Sequence, residues 1–462
     1  MAETEIPNED KLAQALQEGD AVAVESLAAE IHPADLANFA RNLDEESRQW
    51  FFSSLEQETV AQVMECLTGP EAEKALTEFP EAEQQEILES LPDDELVDLL
   101  QEADSPRKER YLSLLSEDKK ALSSDLLKFP EESAGGRMTT AFAAVRENMT
   151  IREAIDALSE NRESTEILSR IFVIDEDGLF LGKVRLRDLT FNPRSMSITE
   201  VMDDADIYID ALADQEEAAQ MISRYDLVAL PVVDRKRRLI GVITHDDALE
   251  IIEEESTEDI EKFSAISGEH GEMSYLLTPV PTHFRRRFFW ILPLALLAIL
   301  SGIVIYSYEK VLNEVYLLVI YLPMVVAAGG NTGSQSATTV IRAMSLGEFT
   351  PDAFARVVWK ELRIGMLMGG LLGICIALVV GIVMPHLIPL PDNVSALRIA
   401  GTVGLALTGQ VASSTLLGAV LPLLARAARL DPAVVASPAI TTIVDVTGMA
   451  IYLGLGKVLL GI

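Results

Sequence analysis

The chain has 462 residues, 73 of them acidic and 37 basic, for a formal net charge of −36. From residue 281 onward twelve Lys/Arg stand against eight Asp/Glu, a net of +4, so the first 280 residues hold 25 basic and 65 acidic residues, a net of −40. So acidic a segment repels phosphate and excludes nucleic acid as a partner, while it suits either cations or a plain solubilising surface.

The two cysteines, Cys66 and Cys375, give neither a disulfide framework nor a metal-ligand spacing. The N-terminus reads MAETEIPNEDK, with no basic segment followed by an apolar one, so no signal peptide is expected.

Residues 1–130 read as an acidic, all-helical superhelical domain. Apolar residues recur every three and four positions, and stops such as HPADL, TGP, FPE and LPDD cut the pattern at short intervals. About five to eight helices are expected from this stretch.

Residues 131–248 carry an internal repeat in which Met138 pairs with Met202, 64 positions apart. Asp175 pairs with Asp234, Gly182 with Gly241 and Asp188 with Asp247, each 59 apart, so the first copy holds a longer loop at NRESTEILSR. Each copy reads strand, helix, strand, turn, strand, helix. The repeat resembles a tandem pair of CBS domains, an α/β module that often senses adenine nucleotides or cations. A rigid dimerisation spacer without a ligand is the other reading of such a pair.

Residues 249–280 form a linker, with LEIIEEESTEDIEKFSAIS read as an amphipathic acidic helix over 249–267. THFRRRFFW follows, a basic and aromatic approach to the membrane. Residues 281–462 form the membrane domain, with apolar spans predicted at 287–307, 315–341, 357–385, 396–425 and 433–459. Each is long enough to cross a hydrocarbon core about 30 Å thick. Basic residues collect before the first span (Arg285, Arg286, Arg287), around the second loop (Arg342, Arg356, Lys360, Arg363) and after the fourth span (Arg426, Arg429). The positive-inside rule then puts the N-terminus and the acidic domains in the cytoplasm and the C-terminus outside, in a multi-pass cell (inner) membrane protein set among lipid.

Within the last span stands Asp445, in ASPAITTIVDVTG, with no basic residue within a turn. A carboxylate at that depth costs about 2.5–3.5 kcal/mol to insert, so it faces a watery cavity or a partner. Ser437, Pro438 and Thr441 lie one or two turns upstream on its face, and Pro438 frees a backbone carbonyl. The second span carries GGNTGSQSATTVIRA, where Gly330 lets backbones approach and Asn331 and Gln335 are polar at membrane depth. Oxygen-only ligands of this kind suit hard cations such as Mg²⁺ or Ca²⁺. A symmetric dimer would bring two Asp445 carboxylates to one axis. No nucleophile–base pair, phosphate loop or hydrolase metal spacing is present, so an enzyme is not expected.

The strings GGNTGSQSATTVIRA, ASPAITTIVDVTG and ESTEDIEKFSAI, in a chain ordered as acidic helices, CBS pair, acidic linker and five spans, resemble the MgtE family of magnesium channels. The resemblance implies a homodimer with a Mg²⁺-conducting pore, Asp445 as the pore carboxylate, and Gly330, Asn331 and neighbouring backbone along the path. It also implies Mg²⁺ sensing by Asp94, Asp98, Asp214, Glu216, Asp226, Asp247, Glu250, Glu255, Glu258 and Asp259, with the linker helix as a plug. ATP at the CBS pair is a further expectation. Two other readings stay open: a carrier of Co²⁺, Mn²⁺ or Ca²⁺, and a nucleotide-sensing membrane regulator that conducts nothing.

Overall fold

A computed structural model describes residues 9–160, 167–264, 266, 278–345, 348–349, 353–387, 395–428 and 430–461. Residues up to Glu255 form one compact unit, and 256–264 together with those from Pro279 onward form a second.

The first unit opens with helices of eight to ten residues: α1 (Glu9–Glu18), α2 (Ala21–Ala28), α3 (Pro33–Arg41), α4 (Glu45–Ser53), α5 (Gln57–Glu65), α6 (Gly69–Leu76), α7 (Glu81–Ser90), α8 (Asp93–Glu102), α9 (Ser105–Leu114) and α10 (Glu117–Leu126). These ten, among the described residues, exceed the five to eight expected, because the chain breaks after every eight to ten helical residues. Asp20, Asp44 and Asp104 each accept a hydrogen bond from the first turn that follows. Alternate helices stack, α3 on α5 on α7 on α9 and α6 on α8 on α10. Ion pairs stitch the stack, Arg41 to Glu71 at 2.7 Å and Arg48 to Glu78.

The CBS repeat then folds as β1 (Phe142–Arg146), α11 (Ile151–Glu160), β2 (Ile167–Ile174), β3 (Phe180–Arg185) and α12 (Leu186–Phe191). The second copy gives β4 (Asp203–Asp204), β5 (Ile209–Asp210), α13 (Gln215–Tyr225), β6 (Ala229–Val233), β7 (Leu239–Thr244) and α14 (His245–Phe263). The sheets run β1-β2-β3-β4 and β5-β6-β7, with the first pair of each (β1–β2, β5–β6) parallel and the next (β2–β3, β6–β7) antiparallel. The repeated residues have local reasons. Asp175 and Asp234 each accept two backbone N–H bonds and close the β2–β3 and β6–β7 turns. At Gly182 a Cβ would overlap the Asp203 carbonyl oxygen, and at Gly241 it would overlap Met138. Each glycine therefore admits a segment that crosses over from the other copy. Residues 161–166 of the longer first-copy loop lie outside the described residues.

Helix α14 begins at His245, four residues before the predicted start, because Thr244 and Asp247 cap each other's backbone.

The second unit holds α15 (Val280–Ser307), α16 (Glu309–Glu314), α17 (Leu317–Ser345), α18 (Phe354–Leu378), a π-turn over Val379–Val383, α19 (Met384–Leu387), α20 (Ala396–Ala427) and α21 (Pro432–Leu460). Among the described residues, five of its helical stretches are long and apolar enough to cross a membrane. α20 is the hub: it packs on α17, α18 and α21, while α15 touches α21. Glycines set these crossings, since a Cβ at Gly418 would overlap the Gly333 carbonyl oxygen and one at Gly373 the Thr408 hydroxyl.

Candidate functional site

Three groups of polar residues stand out, one in the first unit and two in the second. In the first unit the acidic N-terminus of α8 lies against α14. Val97 and Leu126 share an apolar cluster with Ala248 and Ile251, which holds α8 and α10 on the second CBS copy. Around that contact gather Asp94, Glu95, Asp98, Asp247, Glu250 and Glu254. Burial, then Asp94, Asp98, Glu250 and Asp247, pushes the Glu95 carboxyl up to about 10. Burial pushes Asp98 up to about 7, against the pull of Arg137. Asp247, Glu250 and Glu254 are likewise raised, each chiefly by burial.

One cation enters this cluster. Arg137 donates to Asp98 Oδ2 at 3.2 Å, Glu254 Oε2 at 2.5 Å and Gln215 Oε1 at 2.9 Å. Asp98 Oδ1 is sealed from solvent without a hydrogen-bond partner. Among the described residues no three carboxylate, thiol or imidazole groups converge as a finished metal cage. The carboxylates face one another and repel, an arrangement that a divalent cation would relieve.

In the second unit, the last turns of α14 meet the start of α21. Lys262 pairs with Glu258 and, at 2.8 Å, with Asp431, which directly precedes α21. Burial pulls the Lys262 ammonium down, but its bonds to Asp431 and Glu258 outweigh that and hold it above the usual lysine range. Burial, then Asp431, raises Asp259 beside it.

At membrane depth, α17 turns two faces to its surroundings. Gly329, Thr332, Gly333, Ser336 and Ala337 are buried against the bundle, while Asn331, Gln335, Thr338 and Thr339 are exposed. Asn331, Gln335 and Thr338 follow one another at four and three residues, so they form one stripe. Gly330 beside them has open space where a Cβ would stand. Gly333 packs against Ile440 and Val444 of α21, which sets Asp445 alongside the GGNTG segment. Asp445 is half-buried, Thr441 one turn earlier is exposed, and the nearest basic residue along the helix is Lys457. The side chains of Ser437 and Pro438 lie outside the described residues.

The structure thus gathers Asp94, Asp98, Asp247 and Glu250 from the predicted sensing set, and Glu255 lies next to them, accepting from Gln215. It gives three others local duties. Asp214 caps α13 by accepting from the Glu216 N–H, Glu216 accepts from Gln220, and Asp226 ends the helix in the left-handed region at φ 49°. Glu258 and Asp259 belong to the Lys262 contact. Sequence reasoning passed over Glu95, Glu254 and Arg137, and also Glu361 of α18. Glu361 is 7% exposed, and the Ser336 hydroxyl lies 2.9 Å from its Oε2 and 2.8 Å from the Thr415 carbonyl. Flanked by Lys360 and Arg363, Glu361 reads in sequence as one more charge at the start of the third span.

Family profiles match most of the chain: the MgtE intracellular N domain over 31–132, CBS domains over 134–193 and 198–254, and a divalent cation transporter over 322–455. The magnesium transporter MgtE of Thermus thermophilus is 35% identical over 463 aligned residues, covering 98% of this chain and 99% of that protein. The chain belongs to the MgtE family. The magnesium transporter MgtE of Bacillus subtilis is 28% identical over 440 residues, 95% of this chain and 94% of that one. A crystal structure of the cytosolic domain of the Mg²⁺ channel MgtE in complex with ATP aligns with a TM-score of 0.51 at 35% identity, covering 53% of this chain and 99% of that one.

MgtE is a family of transporters rather than enzymes. The acidic cluster falls where two of its modules meet: Asp94, Glu95 and Asp98 lie in the N-domain match, and Asp247, Glu250 and Glu254 in the second CBS match. The GGNTG segment and Asp445 lie in the transporter match.

Proposed function

We propose that this chain is a Mg²⁺ channel that works as a homodimer, takes Mg²⁺ into the cell and is closed by Mg²⁺ on its cytoplasmic side. The observation that carries the reading is the set of polar residues on one packed seam: the exposed Asn331–Gln335–Thr338 stripe of α17 and the half-buried Asp445 of α21. Lipid would not solvate these groups, so they belong on a wet surface. A twofold axis along that seam would face two Asp445 carboxylates across a water-filled path. Mg²⁺ gives up its water reluctantly, so amides, carbonyls and a carboxylate would hold it through its hydration shell. Gly330 keeps the wall open, and Gln335, Thr441, Ser437 and Pro438 complete the predicted lining.

In this reading residues 1–130, 131–248, 249–280 and 281–462 are the sensing domain, CBS pair, plug helix and pore domain. The N-terminus is cytoplasmic and the C-terminus outside, following the flanking Arg and Lys. Mg²⁺ bound among Asp94, Asp98, Asp247 and Glu250 offsets their repulsion and holds α8 on α14, with the plug in place. When Mg²⁺ is scarce the carboxylates separate and the plug leaves. A coupling of about 1–3 kcal/mol per ion makes such a gate steep. The ATP-bound relative makes an adenine nucleotide the expected ligand of the CBS pair.

The test is Mg²⁺ uptake into liposomes by the wild type, Asp445→Ala and Asp445→Asn, with Ca²⁺, Mn²⁺ and Co²⁺ run in parallel. Loss of Mg²⁺ uptake in both variants, with folded protein, supports the reading. Wild-type uptake in both would remove Asp445 from the path.

A further inference from the structure

Gln410 of α20 is fully buried, at 0% exposure, in the middle of the membrane bundle. Its Nε2 donates to the Val444 carbonyl of α21 at 2.9 Å. That carbonyl also lies 3.2 Å from the Thr447 hydroxyl. Gln410 Oε1 is sealed from solvent and has no hydrogen-bond partner. The amide sits between two glycines on two other helices. A Cβ at Gly329 of α17, or at Gly448 of α21, would overlap its nitrogen. Both positions are therefore shaped around this one side chain.

Packing alone does not account for an amide here. A leucine would fill similar space without leaving a buried acceptor unsatisfied, so the amide weakens the bundle relative to an apolar residue. Its placement accounts for it. Val444 directly precedes Asp445, and Gly329 directly precedes Gly330 and Asn331. A helical carbonyl has one free lone pair once its own ladder bond is made, and a side-chain donor aimed at it fixes the helix both along and about its axis. The glycine slot on α17 fixes the other wall at the same level.

We infer that Gln410 is a positioning residue for permeation: its amide locks the rotation and depth of Asp445 against the Gly330–Asn331 wall, and so sets how tightly the path holds the hydrated ion. The inference rests on the reading that Asp445 lies on the conduction path. Gln410 itself touches no ion. A displacement of one wall by about 1 Å is enough to degrade a site built on geometry.

The experiment is the concentration dependence of Mg²⁺ uptake by the full chain in liposomes, for the wild type, Gln410→Leu, Gln410→Asn and Asp445→Asn. Folding and dimer content are checked by gel filtration. The leucine fills the slot without the bond, and the asparagine keeps an amide too short to reach Val444. The expected result is a rise of about tenfold in half-saturating Mg²⁺ for either Gln410 variant, with maximal uptake per folded dimer within about twofold of wild type. Half-saturation unchanged in the Gln410 variants, while Asp445→Asn abolishes uptake, overturns the inference and leaves the pore reading intact. Full uptake by Asp445→Asn overturns the pore reading and the inference with it. If Gln410→Leu does not fold, Gln410→Asn carries the same comparison.

Discussion

Arg137 is a tethered cation in a nest of carboxylates, and replacing it by methionine removes that cation while keeping an unbranched, apolar stem. Asp98 and Glu254 would then face each other, with Asp98 Oδ1 already unpaired. Removing one partner of a fully buried ion pair costs about 3–5 kcal/mol. Here the three side chains keep 14%, 28% and 31% of their surface, so solvent screens part of the loss and about 2–3 kcal/mol is expected. That energy is the packing of α8 on α14, so local opening should become about 30–150-fold more frequent. Hydrogen exchange of the α8 and α14 peptides, measured by mass spectrometry on the detergent-solubilised full chain without Mg²⁺, reads this directly. Mg²⁺ should restore protection, because a free cation now occupies the role, and at about 100 times its dissociation constant it returns about 2.7 kcal/mol. Protection within threefold of wild type in the absence of Mg²⁺ would show that Arg137 does not hold the two helices together. Protection lost but not regained with Mg²⁺ would break the link between this cluster and ion sensing.

The same contact should respond to pH. The packed form raises the Glu95 carboxyl to about 10 and Asp98 to about 7, so it keeps protons that the separated form releases from about pH 4 upward. Packing is thus favoured in acid and weakens as pH rises toward those values; exchange at α8, corrected for its intrinsic rate, should accelerate from pH 5 to 8 without Mg²⁺, and the slope should shrink in Glu95→Gln. A flat profile would contradict the raised carboxyls. Lys262→Met leaves Glu258 and Asp431 facing each other, so about 1–2 kcal/mol of docking is lost and Mg²⁺ uptake at millimolar internal Mg²⁺, where the wild type is closed, should rise about 5–30-fold; unchanged uptake would show that the contact does not bias the gate. Gly418→Ala drives a methyl into the Gly333 carbonyl oxygen, a strain of about 1–3 kcal/mol, and should lower the melting temperature of the membrane unit in detergent, whereas Gly370→Ala, with open space at its Cβ, should not.

Periodicity and composition reach far in this chain because each part has a strong local signal. Hydrophobic runs of membrane length need no tertiary context, and five such stretches are present. The CBS repeat is legible because the residues that recur, Asp175 with Asp234 and Gly182 with Gly241, solve the same backbone problem twice. Asp445 stands out for the opposite reason, as a charge where the local pattern forbids one. The short helices of the N-terminal domain outnumber what the pattern suggests partly because three of their caps, Asp20, Asp44 and Asp104, are ordinary acidic residues, indistinguishable in sequence from the acidic surface around them.

Which of the 73 acidic residues act together is a different matter. Asp94 and Asp214 look alike in sequence, yet one enters a buried cluster and the other caps a helix. Arg137, Lys262, Glu361 and Gln410 were invisible for a related reason. Each takes its meaning from partners 25 or more positions away, apart from the Lys262–Glu258 turn, and no local pattern encodes such pairings. The sequence by itself determined the segments, their polarity and the single intramembrane carboxylate on the α21 face, because these depend on neighbours along the chain. Only the tertiary structure decided which charges are buried against one another and which amide holds Asp445 in register, because burial and helix rotation are fixed by packing between distant segments.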